Sequence, residues 1–281
     1  MLAQKFDESR IDFDNSKVFI QPKLDGVRCI FTKDGAYSRA NNKFMNINHI
    51  EKKLEEFFKN NPDIILDGEL YNHKLKNDFE KIISLVRKQK PTTKDKEEAS
   101  KLVQYHVYDI IPRLPSENQL YEERMMRIKG IFKLFSAEEL KTLKMVDTYL
   151  CKNKETADKY HKKFLDKGFE GSILRKNGLY KKKRAWELQK FKDFHDTEAT
   201  IVGYEIGKGK RKGTLGKFLM QDDEGVEFGC PPGKGYTYKD MKDILDNIDD
   251  YIGQRATFTY FQRTKAGSYR HPLFKGLRNY E

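Results

Sequence analysis

The stretch that most constrains the fold lies at 21–28 and reads Gln-Pro-Lys-Leu-Asp-Gly-Val-Arg. It separates two apolar runs, 18–20 and 27–32, which are typical of strands. Side chains alternate across an extended backbone, so Lys23 and Asp25 would project to the same side. The glycine that follows allows a tight turn at no steric cost. The sequence therefore predicts two strands with a lysine and an acid at their junction.

Further short motifs follow this stretch in a set order. They read Ser38-Arg39, Leu66-Asp67-Gly68-Glu69-Leu70, Tyr108-Asp109, Glu170-Gly171 and Lys190-Phe191-Lys192. Each alone is common in proteins. Together, in this order and at these separations, the six resemble the nucleotidyltransferase motifs of the ATP-dependent DNA ligases, and most closely those of the small viral and phage enzymes. The resemblance extends from residue 18 to residue 278.

The resemblance implies a three-step reaction that seals nicks between a 5′-phosphate and a 3′-hydroxyl in duplex DNA. Lys23 takes AMP from ATP and releases pyrophosphate, AMP passes to the 5′-phosphate, and the 3′-hydroxyl displaces AMP. It also implies Mg²⁺ or Mn²⁺ as the metal and a monomeric enzyme of DNA repair, replication or recombination.

Lys23 is the candidate nucleophile, and its chemistry sets a requirement on its surroundings. An amine attacks phosphorus only when deprotonated, and an unperturbed lysine has a pKa of about 10.4. Nearby cations or desolvation must lower that pKa, and Arg28 could contribute to the positive field. Lys190 and Lys192 alternate to one side of their strand. Both can therefore face the α-phosphate and stabilise charge as pyrophosphate leaves.

Five other side chains match positions that bind the nucleotide in the family. Gln21 would read the adenine edge, which suits an amide that both donates and accepts hydrogen bonds. Tyr108 would stack on the adenine face, although a strand aromatic considered alone is more often a core residue. Arg28 would lie near the ribose, and Glu69 would hold the ribose hydroxyls. Arg184 occupies the place of a family arginine between the fourth and fifth motifs.

The metal and the DNA ends also have candidate partners. Glu170 matches the acid of the fourth motif and is the best candidate metal ligand, with Glu69 as a second, because Mg²⁺ prefers carboxylate oxygens, waters and phosphates. For Glu69, a partly exposed strand acid is the structural alternative. Asp25 would help bind metal or position the 3′-hydroxyl end. Arg39 resembles the residue that grips the 5′-phosphate of the nick, a task suited to a guanidinium fork.

The composition agrees with a polyanionic partner. Lys and Arg number 55 against 43 Asp and Glu, which gives a net charge of +12. Neutralising phosphates releases counterions and supplies sequence-independent affinity. A Lys-rich surface that only confers solubility is the alternative from charge alone.

The cysteines and the apolar pattern indicate an intracellular location. The three cysteines are widely spaced, which excludes a zinc ribbon and a disulfide framework and fits a reducing compartment. The sequence shows no apolar signal core and no run of membrane-spanning length. We therefore expect an intracellular protein that does not enter a membrane, in the cytoplasm of a bacterial host if a phage encodes it.

The length of 281 residues suits two domains. Alternating strand and helix patterns over 1–194 predict an α+β nucleotidyltransferase (adenylation) domain with antiparallel sheets and flanking helices. The polar stretch 87–101 is predicted to be an exposed loop. Short strands, glycine-rich turns and one helix over 195–281 predict an all-β OB-fold domain that binds DNA. Its basic, glycine-rich segment 207–217 is a candidate phosphate contact.

The C-terminus departs from the family pattern. Arg278 opens a motif that in the family continues through an acid to a basic residue and orients the pyrophosphate during self-adenylation. Here the sequence after the arginine reads Asn279-Tyr280-Glu281. The departure puts self-adenylation in question more than nick binding.

Three alternatives stay open from the sequence. An RNA ligase or a GTP-dependent mRNA-capping guanylyltransferase would belong to the same superfamily. A non-catalytic nucleic-acid-binding protein could retain the fold. An NAD⁺-dependent ligase is disfavoured by the short chain and by the missing cysteine clusters.

Overall fold

The computed structural model describes residues 1–76, 78–112, 119–233, 235–264 and 266–278. By its internal contacts the chain separates into two compact units, Met1–Lys192 and Asp193–Glu281. Each unit has a buried apolar core. The predicted boundary after residue 194 stays a prediction. None of the helices in the described ranges combines the length and apolarity needed to cross a membrane.

Two five-stranded sheets form the centre of the first unit. One sheet has the order β1 (Leu2–Lys5), β10 (Arg184–Phe191), β9 (Ser172–Lys176), β2 (Val18–Pro22) and β8 (Tyr149–Cys151). The other has the order β4 (Gly35–Tyr37), β3 (Val27–Thr32), β5 (Leu66–Tyr71), β6 (Gln104–Ile110) and β7 (Leu143–Met145). Neighbouring strands are antiparallel except for β1 with β10 and β6 with β7. The strands around Lys23 therefore belong to different sheets.

Helices flank these sheets. They are α1 (Asn48–Asn60), α2 (Phe79–Val86), α3 (Thr93–Leu102), α4 (Tyr121–Phe132) and α5 (Lys154–Asp166). In α1 the buried residues Ile50, Leu54, Phe57 and Phe58 recur at the three- and four-residue spacing of one helical face. That face packs into the main core of the unit.

The loop predicted over 87–101 was wrong for most of its length, because α3 begins at Thr93. The Thr92 hydroxyl accepts a hydrogen bond from the Asp95 N–H, and the Asp95 carboxylate accepts one from the Thr92 N–H. This capping box satisfies backbone donors that the first turn leaves open. Within α3 only Ala99 is buried, so the helix carries almost no apolar periodicity that a sequence pattern could reveal.

The second unit is a small antiparallel barrel with one helix. Its main sheet has the order β13 (Glu227–Cys230), β12 (Leu215–Gln221), β11 (His195–Ile206), β14 (Arg255–Tyr260) and β17 (Leu273–Leu277). The helix α6 (Tyr238–Asp246) and a hairpin of β15 (Gln262–Arg263) with β16 (Tyr269–Arg270) complete it.

Backbone hydrogen bonds link the two edges of this sheet. The Phe274 N–H on β17 donates to Pro231 just beyond β13, and the Gly233 N–H donates to Phe274, each at 2.9 Å. The linked edges give the barrel closure that protects an antiparallel sheet. The predicted fold class, an α+β unit followed by a small β-barrel, is confirmed.

Candidate active site

Lys23 lies in the short link between β2 and β3, where the chain passes from one sheet to the other. Its N–H donates to the Gly171 carbonyl at 2.8 Å, and the Glu170 N–H donates to the Lys23 carbonyl at 3.3 Å. The pairing of β2 with β9 thus continues beyond Pro22 into the link. Backbone geometry places the predicted nucleophile beside the predicted metal ligand, although 147 residues separate them in sequence.

Glu170 joins two of the predicted lysines. One carboxylate oxygen contacts the Lys23 ammonium and the other contacts the Lys192 ammonium. The Glu170 side chain is 3% exposed, against 19% for Lys23 and 13% for Lys192. Lys190 lies two residues earlier, on β10 opposite Ile173 of β9. The structure therefore brings a loop lysine and a lysine at a strand end onto one nearly buried carboxylate.

The glycine of the link serves close approach. A Cβ on Gly26 would lie 2.4 Å from the Leu70 carbonyl oxygen and 2.8 Å from the Glu69 Cγ, and its φ is outside the left-handed region. The chain bends at Gly26, and this close approach is a further reason for a glycine there. Its missing side chain lets the link contact β5 and carries Lys23 toward Glu69.

Glu69 is partly exposed on β5, next to this link. Desolvation raises the pKa of its carboxyl to about 8 against the opposing charge of Lys23, and the carboxylates of Asp67 and Asp25 add to the rise. Glu69 thus holds a proton for much of the time at neutral pH. A bound cation would favour its charged form, because an opposite charge nearby stabilises a carboxylate.

Arg28 is held in a fixed position on β3. Its Nε and Nη2 donate to the two oxygens of Asp67, each at 2.8 Å, and its Nη1 donates to the Met1 carbonyl at 2.8 Å. The Tyr180 hydroxyl donates to the same carboxylate at 2.8 Å. Asp67 belongs to a quoted motif without a predicted role, and Tyr180 was missed. Arg28 on β3 pairs with Glu69 on β5, so Asp67 is its diagonal neighbour on the adjacent strand. Local sequence patterns do not reveal this pairing of strands.

Gln21 is buried, and its side-chain amide forms hydrogen bonds to three other side chains of the protein. Its Nε2 donates to the Tyr121 hydroxyl at 3.0 Å and to Thr148 Oγ1 at 2.8 Å, while its Oε1 accepts from Arg175 Nε at 2.6 Å. Both amide hydrogens are used, but an amide oxygen has a second lone pair. The role predicted for Gln21 at the adenine edge stays a prediction.

Arg175 also belongs to a buried ionic cluster behind the site. Asp109 is fully buried and accepts from Arg175 Nη1 at 2.8 Å and from Arg124 Nε at 2.7 Å. The Arg175 guanidinium carbon lies 5.2 Å from the centre of the Tyr108 ring. Stacking of adenine on Tyr108 stays a prediction. Both arginines were missed; for Arg175, its place on the strand that follows Glu170 was an available signal.

The remaining predicted arginines have separate surroundings. Arg39 is exposed after β4 and lines a cleft of about 830 Å³ that Arg28 and Glu69 also line. Arg184 is exposed at the start of β10, and its guanidinium donates to the Ala3 carbonyl of β1. The roles assigned to both stay predictions. Arg278 pairs with Glu198 inside the second unit, and the rest of its motif, 279–281, lies outside the described residues.

Comparisons with known proteins match both units of the chain, in the same order. The family model described as ATP dependent DNA ligase domain matches residues 1–192, and the model described as DNA ligase OB-like domain matches residues 206–278. These matches favour neither a capping enzyme nor a non-catalytic binding protein.

Named relatives and a solved structure point the same way. DNA ligase of Enterobacteria phage T4 is 25% identical over 308 residues, which cover 90% of this chain and 62% of the phage protein. DNA ligase of an African swine fever virus isolate is 28% identical over 212 residues, 70% of this chain and 46% of that protein. The chain thus spans less than two thirds of either relative.

A Lig E DNA ligase structure has the same fold, with a TM-score of 0.81, 24% identity, and coverage of 99% of this chain and 98% of that one. The ligase domain model alone spans more than half of the sequence, and the chain therefore belongs to the ATP-dependent DNA ligase family.

Proposed function

We propose that this protein is an ATP-dependent DNA ligase that seals nicks between a 5′-phosphate and a 3′-hydroxyl in duplex DNA. The observation that carries the proposal is the Glu170 carboxylate shared by Lys23 and Lys192 where the two sheets of the first unit meet. Lys23 and Lys192 follow two different strands of one sheet, β2 and β10, and meet on a nearly buried acid. Solvated surface lysines are not held in this way, whereas a lysine nucleophile must be held in one place.

In the first step, Lys23 is the nucleophile toward ATP. Its Nζ, as the neutral amine, forms a bond to the α-phosphorus and releases a proton to solvent, while the bond from that phosphorus to the pyrophosphate oxygen breaks. Glu170 orients the amine through the contact that it already makes. Lys192, with Lys190 on the same strand, stabilises the charge that builds on the phosphate oxygens.

Two further transfers complete ligation. The 5′-phosphate oxygen of the nick attacks the lysyl-AMP phosphorus, and Lys23 leaves. The 3′-hydroxyl then loses its proton, attacks the activated 5′-phosphorus and releases AMP. Arg39, exposed on the cleft beside Glu69, is the proposed contact of the 5′-phosphate. The exposed basic residues of 207–217 support duplex binding through the phosphate backbone.

The acids present fit Mg²⁺ or Mn²⁺ held jointly with substrate. Within the described ranges no group of three or more His, Cys, Asp or Glu residues could hold a metal ion alone. Mg²⁺ characteristically binds through one or two carboxylates plus waters and phosphate oxygens. Glu170 and Glu69 would hold it. When bound, the metal would neutralise charge on the transferred phosphate.

The relatives of this chain also bear on where the protein would act. The relatives named above are phage and viral proteins, which supports a role on DNA inside a host cell.

The test is incubation with α-labelled ATP or GTP and Mg²⁺, denaturing electrophoresis, and a chase with nicked duplex DNA. We expect acid-labile label from ATP that disappears as the nick is sealed, and no label on Lys23→Ala. Lys17→Ala, which removes an exposed ion pair with Glu122, is the control and should be labelled normally. Label from GTP alone would instead indicate a capping enzyme. Nick binding without any label would indicate a binding protein.

A further inference from the structure

The cleft next to the candidate active site carries more positive charge than the family motifs account for. It is about 830 Å³ in volume, and besides Arg28, Arg39 and Glu69 it is lined by Lys43, Arg87 and Gln89. Gly26 of the lysine link is also on its wall. The cleft therefore extends from the surroundings of Lys23 to the end of α2.

The cationic side chains of this cleft differ in whether they already have hydrogen-bond or ion-pair partners. Arg28 is fixed on Asp67, and the Lys43 ammonium donates to the Asp34 carbonyl at 3.3 Å. Arg39 and Arg87 are both exposed, and neither guanidinium group has a hydrogen-bond or ion-pair partner among the residues that the structure describes. Two guanidinium groups that line one cleft are thus available to an anion.

The walls that carry these two arginines are connected to each other. Arg87 is the C-cap of α2, and its N–H donates to the Ile83 carbonyl at 3.0 Å. The buried Asn46, on the segment that follows Arg39, donates from Nδ2 to the Leu85 carbonyl at 3.0 Å. A buried hydrogen bond of this kind resists separation of the two segments. The segment that follows Arg39 and the end of α2 are therefore held together before any ligand binds.

We propose that Arg87 is the second arm of the 5′-phosphate site, together with Arg39, and distinguishes a terminal phosphate from the rest of the DNA backbone. This inference rests on the proposed function. A terminal phosphate carries a charge of about −1.5 to −2 at pH 7, whereas an internal phosphodiester carries one charge. Two guanidinium forks match the terminal group in charge and in acceptor number. Gln89 adds an amide donor to the same cleft.

The experiment compares binding of two nicked duplexes that differ only in a 5′-phosphate or a 5′-hydroxyl at the nick, without metal so that no ligation occurs. We expect the wild type to prefer the 5′-phosphate. Arg87→Gln should lose about tenfold of this preference, as expected for a lost hydrogen bond between charged groups, and Arg87→Lys should retain part of it. Lys59→Gln, which removes an exposed cation on α1 outside the cleft, should keep the full preference.

Two results would overturn the proposal. Equal weakening of both duplexes by Arg87→Gln would make Arg87 a general backbone contact, and an unchanged preference would remove it from the site. Labelling with ATP tests the proposed function separately, because self-adenylation needs no DNA. A wild type that takes no label yet loses its 5′-phosphate preference through Arg87→Gln would refute the ligase and leave the phosphate site standing.

Discussion

Two clusters in the first unit pair carboxylates with cations, but they use different cations. Asp109 is held by Arg124 and Arg175, and Glu170 is held by Lys23 and Lys192. A guanidinium is a planar fork that stays protonated at any ordinary pH, whereas an ammonium shifts its pKa readily when buried. The arginine cluster is therefore suited to fixing the fold, and the lysine cluster to chemistry.

The hydrogen bonding of the clusters differs in the same sense. Asp109 accepts four hydrogen bonds, two from Arg124, one from Arg175 and one from the Ile110 N–H. Glu170 contacts the ammonium groups of Lys23 and Lys192, whose side chains are 19% and 13% exposed. Substrate phosphates could replace Glu170 as the partner of these lysines. A group from solvent cannot replace Asp109 in the same way, because Asp109 is fully buried and already accepts four hydrogen bonds.

The largest effect should follow from breaking the arginine cluster. Asp109→Ala leaves two buried guanidinium groups without their carboxylate, and we expect a loss of about 3–5 kcal/mol in the free energy of unfolding. Urea titration followed by circular dichroism would measure it. Glu122→Ala is the matched control, because its partner Lys17 is exposed and such pairs contribute about 0–1 kcal/mol. A loss for Asp109→Ala as small as that of the control would contradict a structural role.

The lysine cluster was largely predictable from sequence, because its members lie in short motifs with a fixed order. Lys23 follows β2, which begins with the apolar run 18–20 that predicts a strand. Lys192 directly follows β10, whose residues Arg184–Phe191 mix apolar and polar side chains. What the motifs could not give is the contact itself, since the backbone pairing of Lys23 with Glu170 and Gly171 joins distant parts of the chain.

The arginine cluster was not predictable in this way. Arg175 and Asp109 are 66 residues apart, and no local period marks a partner at that separation. The close approach at Gly26 was also hidden, because the neighbour that excludes its Cβ is on β5. Helix α3 was not predicted for a local reason. It begins with the Thr92–Asp95 capping box, and Ala99 is its one buried residue, so it has no apolar face that a sequence pattern could show.

A smaller effect, on activity alone, should follow from Glu170→Gln. The amide keeps the shape but loses the charge that orients Lys23 and would share a metal with phosphate. We expect the self-adenylation rate to fall by about 10²-fold, with little change in the urea midpoint because both lysines retain access to water. The control is Glu187→Gln on β10, which removes the ion-pair partner of Lys181. This variant should keep the wild-type rate. A large loss of stability in Glu170→Gln would erase the contrast between the clusters.

The smallest effect concerns the pH dependence of stability and comes from Glu69. Its folded pKa is raised from 4.5 to about 8, chiefly by desolvation, so the native state binds more protons than the unfolded state between these values. Stability therefore falls as pH rises through this window, and the loss is complete above the folded pKa. We expect the urea midpoint of the wild type to fall relative to that of Glu69→Gln from pH 6.5 to pH 8.5. The Met1 ammonium, whose pKa burial lowers from 8.0 to about 5, also titrates here with the opposite sign, but both proteins share its contribution.

The pH window matters for this last comparison, because other buried groups titrate with the opposite sign. Desolvation lowers the pKa of His106 to about 3, so its neutral form stabilises the native state increasingly as pH rises toward 6.5, the usual value for histidine. Above that pH its contribution is constant, and the slope of the wild type minus that of Glu69→Gln reports Glu69 alone. Parallel slopes would mean that Glu69 is already ionised in the free protein. Adding Mg²⁺ with ATP should flatten the wild-type slope if Glu69 binds the metal, since a bound cation lowers the pKa of its carboxyl.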